Sequence, residues 1–206
     1  MTDPTTLRPP VVDPARPAAA AARFASTARP DVAYDLIPTP VGTLVAAVTP
    51  RGLVRLAYED FNGGREAILD DLAARVSPRI LAVPHRVDDV RHELDEYFAG
   101  ERRGFDVPLD WRLTTPFQRR VLDATVAIPF GQTRTYTQIA TAAGSPTGAR
   151  AAGNALGGNP LPVIVPCHRV LRGGGGLGGY TGGLDRKRTL LAVEGAEVDP
   201  DRLPGL

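Results

Sequence analysis

Three short apolar runs begin the regular hydrophobic pattern of the chain. Residues 32–38, 43–49 and 52–58 are rich in Val, Leu, Ala and Tyr, and turns that contain Pro and Gly separate them. Apolar runs of this length that are bounded by Pro and Gly are typical of β-strands. The sequence therefore predicts an antiparallel meander of three strands.

Helical periodicity follows the predicted meander. In residues 65–76 apolar side chains recur every four positions, and in residues 87–98 they again fall on one helical face. Residues 105–111 fit either a last strand or an extended linker. Strands followed by helices within one segment predict a small α+β domain.

A new set of helix signals begins at residue 114. Thr115 and Pro116 are a typical N-cap and first helical residue for a helix that is broken at Pro129. Two further helices are predicted over residues 135–143 and 146–156, joined by a tight Gly-Ser-Pro turn. Such a pair resembles the helix-turn-helix of DNA-binding proteins, although short helix pairs are also common elsewhere.

The rest of the chain is first apolar, then rich in glycine, then helical. A strand-like run at residues 161–170 leads into a turn, a glycine-rich loop spans residues 173–183, and a helix is predicted over residues 184–193. Residues 1–30 are rich in Pro and Ala and offer little that could form a core, which predicts disorder. The chain thus divides into a disordered extension (1–30), an N-terminal α/β domain (31–113), a C-terminal domain (114–195) and a tail (196–206).

The net charge of +1 over 206 residues hides an uneven distribution. Residues 31–113 carry 10 Arg against 15 acidic residues, whereas residues 114–195 carry 9 basic against 3 acidic residues. An asymmetry of this kind indicates either the binding of a polyanion or a chance partition of surface charge.

Cys167 is the only cysteine, which excludes an intramolecular disulfide and a zinc site built from several cysteines. No apolar run approaches the roughly 20 residues of a membrane helix, and the N-terminus lacks the apolar stretch of a signal peptide. We therefore expect a soluble cytoplasmic protein that binds neither a metal nor a membrane.

The surroundings of Cys167 leave two interpretations open. A free cysteine after an apolar run is most often a small buried hydrophobic residue. A prolyl turn at Pro166, followed by His168 and Arg169, instead favours a nucleophile, because an imidazole base or a positive charge promotes the thiolate. Local chemistry does not decide between the two.

Three segments of the second half together resemble one protein family. They read TPFQRRVLDATVAIPFGQTRTYTQIA, GARAAGNALGGNPLPVIVPCHRV and GGYTGGLDRKRTLLAVEG, in that order. Their order and spacing, with the pentapeptide PCHRV around Cys167, resemble the methylated-DNA–protein-cysteine methyltransferases, which are O6-alkylguanine-DNA alkyltransferases. The resemblance is strong over residues 114–195, weak over residues 32–113 and absent over residues 1–30.

The resemblance implies a small ribonuclease-H-like domain followed by a winged helix-turn-helix domain that carries the active site. It implies DNA repair by direct reversal, in which one methyl group moves irreversibly from O6-methylguanine in DNA to Cys167, with O4-methylthymine as a second substrate. No cofactor is implied. The implied partner is double-stranded DNA containing an O6-alkylguanine, which a monomer binds through the minor groove, and cooperativity on DNA stays open.

The resemblance also assigns roles around the thiol. Cys167 is the acceptor, His168 acts through a water as its base, and Glu194 holds His168 in the required tautomer. Asn159 supports the turn that carries the cysteine. Tyr136 helps to rotate the target nucleotide and donates a proton to the leaving guanine. Without the resemblance, a turn Asn and a polar residue at a helix end are the simpler interpretations of Asn159 and Glu194.

The DNA interface and the pocket follow from the same resemblance. Arg150 inserts into the base stack where the target base was, and small residues on its helix let the backbone approach the groove closely. The implied DNA-binding residues are Thr135, Tyr136, Ala149, Arg150 and Gly153. The implied pocket residues are Pro162, Val170, Tyr180, Thr181 and Gly182.

Two departures and two rival functions complete the sequence interpretation. Gly157 stands where some relatives carry a second Arg, and the lone cysteine leaves no structural zinc site. One rival is a binding protein, either a non-catalytic reader of alkylated DNA or a winged-helix regulator. The other is a cysteine hydrolase that uses Cys167 and His168.

Overall fold

The computed structural model describes residues 30–61 and 63–196. The predicted disorder of residues 1–30 and the predicted tail therefore fall almost wholly outside the described residues. A four-stranded sheet with the order β3-β2-β1-β4 forms the first half. Its strands are β1 (Val32–Ile37), β2 (Leu44–Thr49), β3 (Gly52–Tyr58) and β4 (Ile80–Ala82).

The predicted meander is confirmed. β1 pairs antiparallel with β2, and β2 pairs antiparallel with β3. β4, which the sequence pattern did not reveal, adds to the edge of β1 in parallel. Its three residues are too few to show an alternation of apolar and polar positions.

Both faces of the sheet are covered, so β2 is buried along its whole length. Leu44, Ala46 and Val48 point into a large core cluster, and Val45 and Ala47 point into a smaller one on the opposite face. Two predicted helices cover these faces, namely α1 (Gly64–Arg75) and α2 (Asp88–Phe98). α1 joins the smaller cluster and α2 joins the larger one.

The segment at residues 105–111 is an extended linker rather than a strand. Among the described residues its one ladder-like contact is with β3, where Leu53 N–H donates to the Pro108 carbonyl and Asp110 N–H donates to the Leu53 carbonyl, each at 2.8 Å. Thr49 of β2 also donates its hydroxyl to Asp110 at 2.7 Å, so the linker is tied to two strands of the sheet before the second domain begins.

Four helices and a short parallel pair of strands form the second half. They are α3 (Pro116–Val126), β5 (Arg134–Thr135), α4 (Tyr136–Ala142), α5 (Ala149–Gly157), β6 (Val170–Leu171) and α6 (Leu184–Val193). Thr115 caps α3 as predicted, since its hydroxyl accepts the Gln118 N–H. α4 and α5 form the predicted helix pair, and Gly144 at φ 77° allows the sharp turn between them.

The strand predicted over residues 161–170 is wrong for most of its length. Residues 161–169 are buried but irregular and end in a 3₁₀ turn at Cys167–Arg169, and only Val170 and Leu171 pair as a strand. Val163 lies at φ 74°, a conformation that a β-branched residue rarely adopts. An apolar run without periodicity indicates that the segment is buried, but it does not indicate that the segment is a strand.

The two halves share the large core cluster, which includes Leu44 and Tyr58 from the first half and Val121, Ile139 and Cys167 from the second. The sheet therefore packs directly behind the turn that carries the cysteine. None of the helices in the described ranges is long and apolar enough to cross a membrane.

Candidate active site

A cavity of about 250 Å³ opens between α4, α5 and the glycine-rich loop, and Cys167 lies in its wall. The lining residues come from four separate parts of the second half: Tyr136, Gly153, Leu156, Gly157, Cys167, Gly179, Tyr180 and Thr181. Cys167 is 6% exposed. The cavity therefore gives a small molecule or an extruded base a route to its sulfur.

Asn159 holds the turn that presents the thiol. Its Oδ1 accepts the Leu161 N–H at 3.0 Å, and its Nδ2 donates to the Val165 carbonyl at 2.9 Å and to the Cys167 sulfur at 3.2 Å. These bonds satisfy backbone groups that a strand or helix would otherwise satisfy. The irregular, buried path of residues 161–167 is therefore held by this amide together with backbone hydrogen bonds of its own, from Val165 N–H to the Leu161 carbonyl and from Cys167 N–H to the Val165 carbonyl.

His168 faces away from the solvent and is held by Glu194. Its Nε2 lies 2.8 Å from Glu194 Oε1, and both side chains are fully buried. A carboxylate can only accept, so Nε2 carries the proton and Nδ1 carries the lone pair. Nδ1 is buried and has no hydrogen-bond partner within residues 30–61 and 63–196. His168, the residue that follows Cys167, thus keeps an unprotonated Nδ1 that is available to accept a proton.

Burial sets the protonation of both groups. It lowers the pKa of His168, although Glu194 opposes this effect, so the imidazole is neutral at neutral pH. Burial also raises the pKa of the Cys167 thiol, although the hydrogen bond from Asn159 and the charge of Lys187 oppose it. The resting thiol is therefore protonated and needs a base to become a nucleophile.

Glu194 is the centre of a larger buried network. Arg169 donates to it twice, from Nε at 2.8 Å and from a terminal nitrogen at 2.9 Å, and Tyr97 donates its hydroxyl at 2.6 Å. Burial alone would raise the pKa of Glu194, but the bonds from His168 and Arg169 outweigh it and hold that pKa at about 2. Glu194 is therefore ionised over the whole physiological range.

Lys187 approaches the site from α6. Its buried Nζ donates to the carbonyls of Val170 and Leu177 at 2.6 Å and 2.5 Å and, more weakly, to that of Gly179 at 3.4 Å. Burial lowers the pKa of Lys187 to about 8, and a negative charge on Cys167 opposes this shift once the thiolate has formed. The lysine ties β6 to the glycine-rich loop and places a positive charge near the sulfur.

Tyr136 forms the opposite wall of the cavity at the start of α4. Its hydroxyl donates to the Gly179 carbonyl at 3.3 Å. Gly178 lies against the same ring, where a Cβ atom would come within 2.7 Å of the hydroxyl oxygen. Burial raises the pKa of Tyr136, so its phenol keeps its proton.

The predicted interface residues on α5 differ in their exposure to solvent. Arg150 is exposed and lies outside the cavity wall, whereas Ala149 and Gly153 are half-buried. A Cβ atom on Gly153 would touch the Tyr136 ring at 3.6 Å. Thr135 caps α4 by accepting the Gln138 N–H, so in this structure it serves the helix.

Only part of the predicted pocket set lines the cavity. Tyr180 and Thr181 do so. Pro162 lies in a neighbouring cleft against β3. Val170 is fully buried, and its carbonyl accepts a hydrogen bond from Lys187 Nζ. Gly182 packs against the ring of Tyr58. These three residues therefore do not line the cavity in this structure.

Comparisons with known proteins agree over both halves. Residues 32–111 match the model "6-O-methylguanine DNA methyltransferase, ribonuclease-like domain", and residues 116–196 match "6-O-methylguanine DNA methyltransferase, DNA binding domain". A Methanosarcina acetivorans methylated-DNA–protein-cysteine methyltransferase is 38% identical over 79% of this chain and 98% of its own length. The chain belongs to the methylated-DNA–protein-cysteine methyltransferase family.

Other relatives of this family match over different shares of their length. The Mycolicibacterium paratuberculosis protein is 55% identical over 102 residues, which are 50% of this chain and 61% of that protein. The crystal structure of Mycobacterium tuberculosis O6-methylguanine methyltransferase matches with a TM-score of 0.70 and 39% identity, over 82% of this chain and 96% of that one. The predicted α+β fold, a ribonuclease-like domain followed by a DNA-binding domain, is thereby confirmed.

Sequence reasoning missed four residues of the site. They are Tyr97, Lys187, Arg169 and Tyr58. Their partners lie 97, 17, 25 and 122 positions away along the chain. No local pattern could reveal contacts at such separations.

Proposed function

We propose that this protein repairs O6-alkylguanine in DNA by transferring the alkyl group to Cys167. The observation that carries the proposal is the buried set behind the cavity, in which Cys167 is positioned by Asn159 and followed by a neutral His168 with a free Nδ1. Membership of a family named for this activity supports the same conclusion.

The first step is the formation of the thiolate. The Nδ1 atom of His168 accepts the Cys167 proton through an intervening water, and Glu194 stabilises the imidazolium that forms, as a buried carboxylate does for a catalytic histidine. Asn159 and Lys187 stabilise the negative charge on sulfur. Burial keeps the thiol protonated until a substrate is bound, which limits its oxidation in the resting protein.

The second step is an in-line displacement at the alkyl carbon. A bond forms between Cys167 Sγ and that carbon while the carbon–O6 bond breaks, and the electron pair of the broken bond passes to the guanine. Tyr136 is the proton donor in this proposal, because its phenol is neutral and lies in the wall of the same cavity. The products are guanine in DNA and an S-alkylcysteine.

The thioether makes the reaction a single turnover. A carbon–sulfur bond of this kind does not hydrolyse under physiological conditions, so the alkyl group stays on Cys167. One protein molecule therefore repairs one lesion.

Duplex DNA is the proposed substrate. A Mycobacterium tuberculosis relative with a TM-score of 0.69 and 39% identity was crystallised in complex with DNA. A lesion inside the base stack cannot reach a buried sulfur, so the base must rotate out of the helix. Arg150 is exposed on α5, the helix that contributes Gly153 to the cavity wall, and is the residue proposed to fill the gap.

The test is intact and peptide mass spectrometry after one equivalent of duplex DNA containing O6-methylguanine is added. The expected result is the mass of one methyl group on the peptide that contains Cys167, with a stoichiometry of one and no further turnover. Cys167→Ser is the matched control and should gain nothing. A folded protein that binds the DNA without an adduct would be a non-catalytic reader, and repeated turnover of an ester or peptide would indicate a hydrolase.

A further inference from the structure

Tyr58 brings the N-terminal domain into contact with the wall of the cavity. It is the last residue of β3 and is 3% exposed. Its hydroxyl lies 2.8 Å from the hydroxyl of Tyr180, and the two rings meet edge to face with centroids 6.2 Å apart. Tyr180 itself lines the cavity beside Cys167.

The hydrogen bond between the two phenols is the only one that either hydroxyl makes within the described part of the chain. Burial raises the pKa of Tyr58 to about 12 and that of Tyr180 well above its usual value, so both keep their protons at neutral pH. The orientation of the Tyr180 ring therefore depends on a neutral bond to a residue of the other domain.

The surroundings of Tyr58 fix its ring in turn. The Arg186 guanidinium stacks on the ring at 4.4 Å and also binds both carboxylate oxygens of Asp60, at 2.8 Å and 2.7 Å. The ring also lies against Gly182, where a Cβ atom would come within 2.3 Å of a ring carbon. β3 is joined to the cysteine-bearing segment as well, because Leu56 N–H donates to the Pro160 carbonyl at 2.9 Å.

We propose that Tyr58 is a positioning residue that sets the width of the alkyl pocket by holding Tyr180 through the hydroxyl pair. The ring of Tyr58 occupies the space into which Tyr180 would otherwise withdraw. When that ring and its hydroxyl are removed, the wall recedes from Cys167. The rate of transfer of a larger alkyl group then rises relative to the rate of methyl transfer. The ribonuclease-like domain thus acts on the selectivity of the reaction without touching the substrate. This inference rests on the proposed transfer to Cys167.

The experiment compares single-turnover rate constants for two duplexes that differ only in the lesion, O6-methylguanine or O6-benzylguanine. Tyr58→Leu removes the ring and the hydroxyl. The ratio of the benzyl to the methyl rate constant should then rise about fivefold to tenfold, because the pocket has more space for the larger group. Tyr58→Phe removes the hydroxyl alone, and the ratio should rise about threefold, the equivalent of one neutral hydrogen bond.

Tyr34→Phe is the matched control. Tyr34 lies on β1, packs with the smaller core cluster and does not line the cavity, so the ratio should stay at the wild-type value. A purely structural role of Tyr58 would slow both substrates by one common factor and leave the ratio unchanged, and that result would overturn the inference. Tyr58→Phe decides the question if Tyr58→Leu does not fold. Wild-type protein that transfers neither group would instead refute the proposed function.

Discussion

Replacement of Glu194 by glutamine tests the buried network behind the thiol. The carboxylate accepts hydrogen bonds from His168, Tyr97 and two nitrogens of Arg169, and its side chain is fully buried. The amide removes the charge and turns one acceptor into a donor that faces other donors. Arg169, which is 6% exposed, is left as a buried cation without its carboxylate.

Two independent arguments give the size of the effect. Removal of one partner of a buried ion pair destabilises a protein by about 3–5 kcal/mol. The shift of the Glu194 pKa from 4.5 to about 2 corresponds to about 3 kcal/mol of stability at neutral pH. Glu194→Gln should therefore lower the free energy of unfolding by about 3–5 kcal/mol.

The pH dependence has a defined sign. Because the folded state lowers this pKa, the contribution of Glu194 is complete above pH 4.5 and is lost as the pH falls from there towards about 2. The wild-type protein should lose this stability in acid, and Glu194→Gln should lack that part of the loss. The difference in the free energy of unfolding between the wild-type protein and Glu194→Gln therefore becomes smaller as the pH falls.

Urea unfolding followed by the fluorescence of Trp111, the only tryptophan, measures both effects. Asp123→Asn is the matched control, because its partner Arg119 and Asp123 itself are exposed, and such a pair contributes less than about 1 kcal/mol. A loss below about 1 kcal/mol for Glu194→Gln, or an unchanged difference between pH 7 and pH 3, would refute the role given to the network.

Two further predictions concern the turn and the DNA interface. Asn159→Ala removes three buried hydrogen bonds, one of them to the sulfur, and should cost about 3 kcal/mol of stability. It should also raise the pH midpoint of Cys167 alkylation by iodoacetamide, and an unshifted midpoint would contradict the contact with sulfur. Arg150→Ala should slow transfer from duplex DNA at least tenfold more than transfer from free O6-benzylguanine, since only the duplex requires base rotation. Equal losses on both substrates, measured as single-turnover rates, would exclude an inserted side chain.

The elements that the sequence predicted correctly are those with a local signal. The strands around Leu44 follow from their apolar pattern, and the helix that begins after Thr115 follows from its capping residue and from Pro116. β4 was not predicted because it is three residues long and lies at the edge of the sheet. A strand of that length has no alternation to recognise.

The segment before Cys167 shows a different limit. Residues 161–165 are apolar because they are buried on all sides, and a buried irregular segment has the same composition as a buried strand. What separates the two is the set of bonds made by Asn159, which depends on folding. The family resemblance implied roles for Cys167, His168 and Glu194, whereas the contacts that Tyr58, Tyr97 and Arg169 make in the site arise only in the tertiary structure.

The buried position of Lys187 has a practical consequence for amine chemistry. Lys187 is the only lysine of the chain, and its Nζ is enclosed by backbone carbonyls with no exposed surface. An amine-reactive ester therefore has no side chain to modify while the protein is folded, and its reaction at Lys187 reports opening of the loop that carries Leu177 and Gly179. Acylation at this one position, measured against time, gives a local unfolding rate for the wall of the active site.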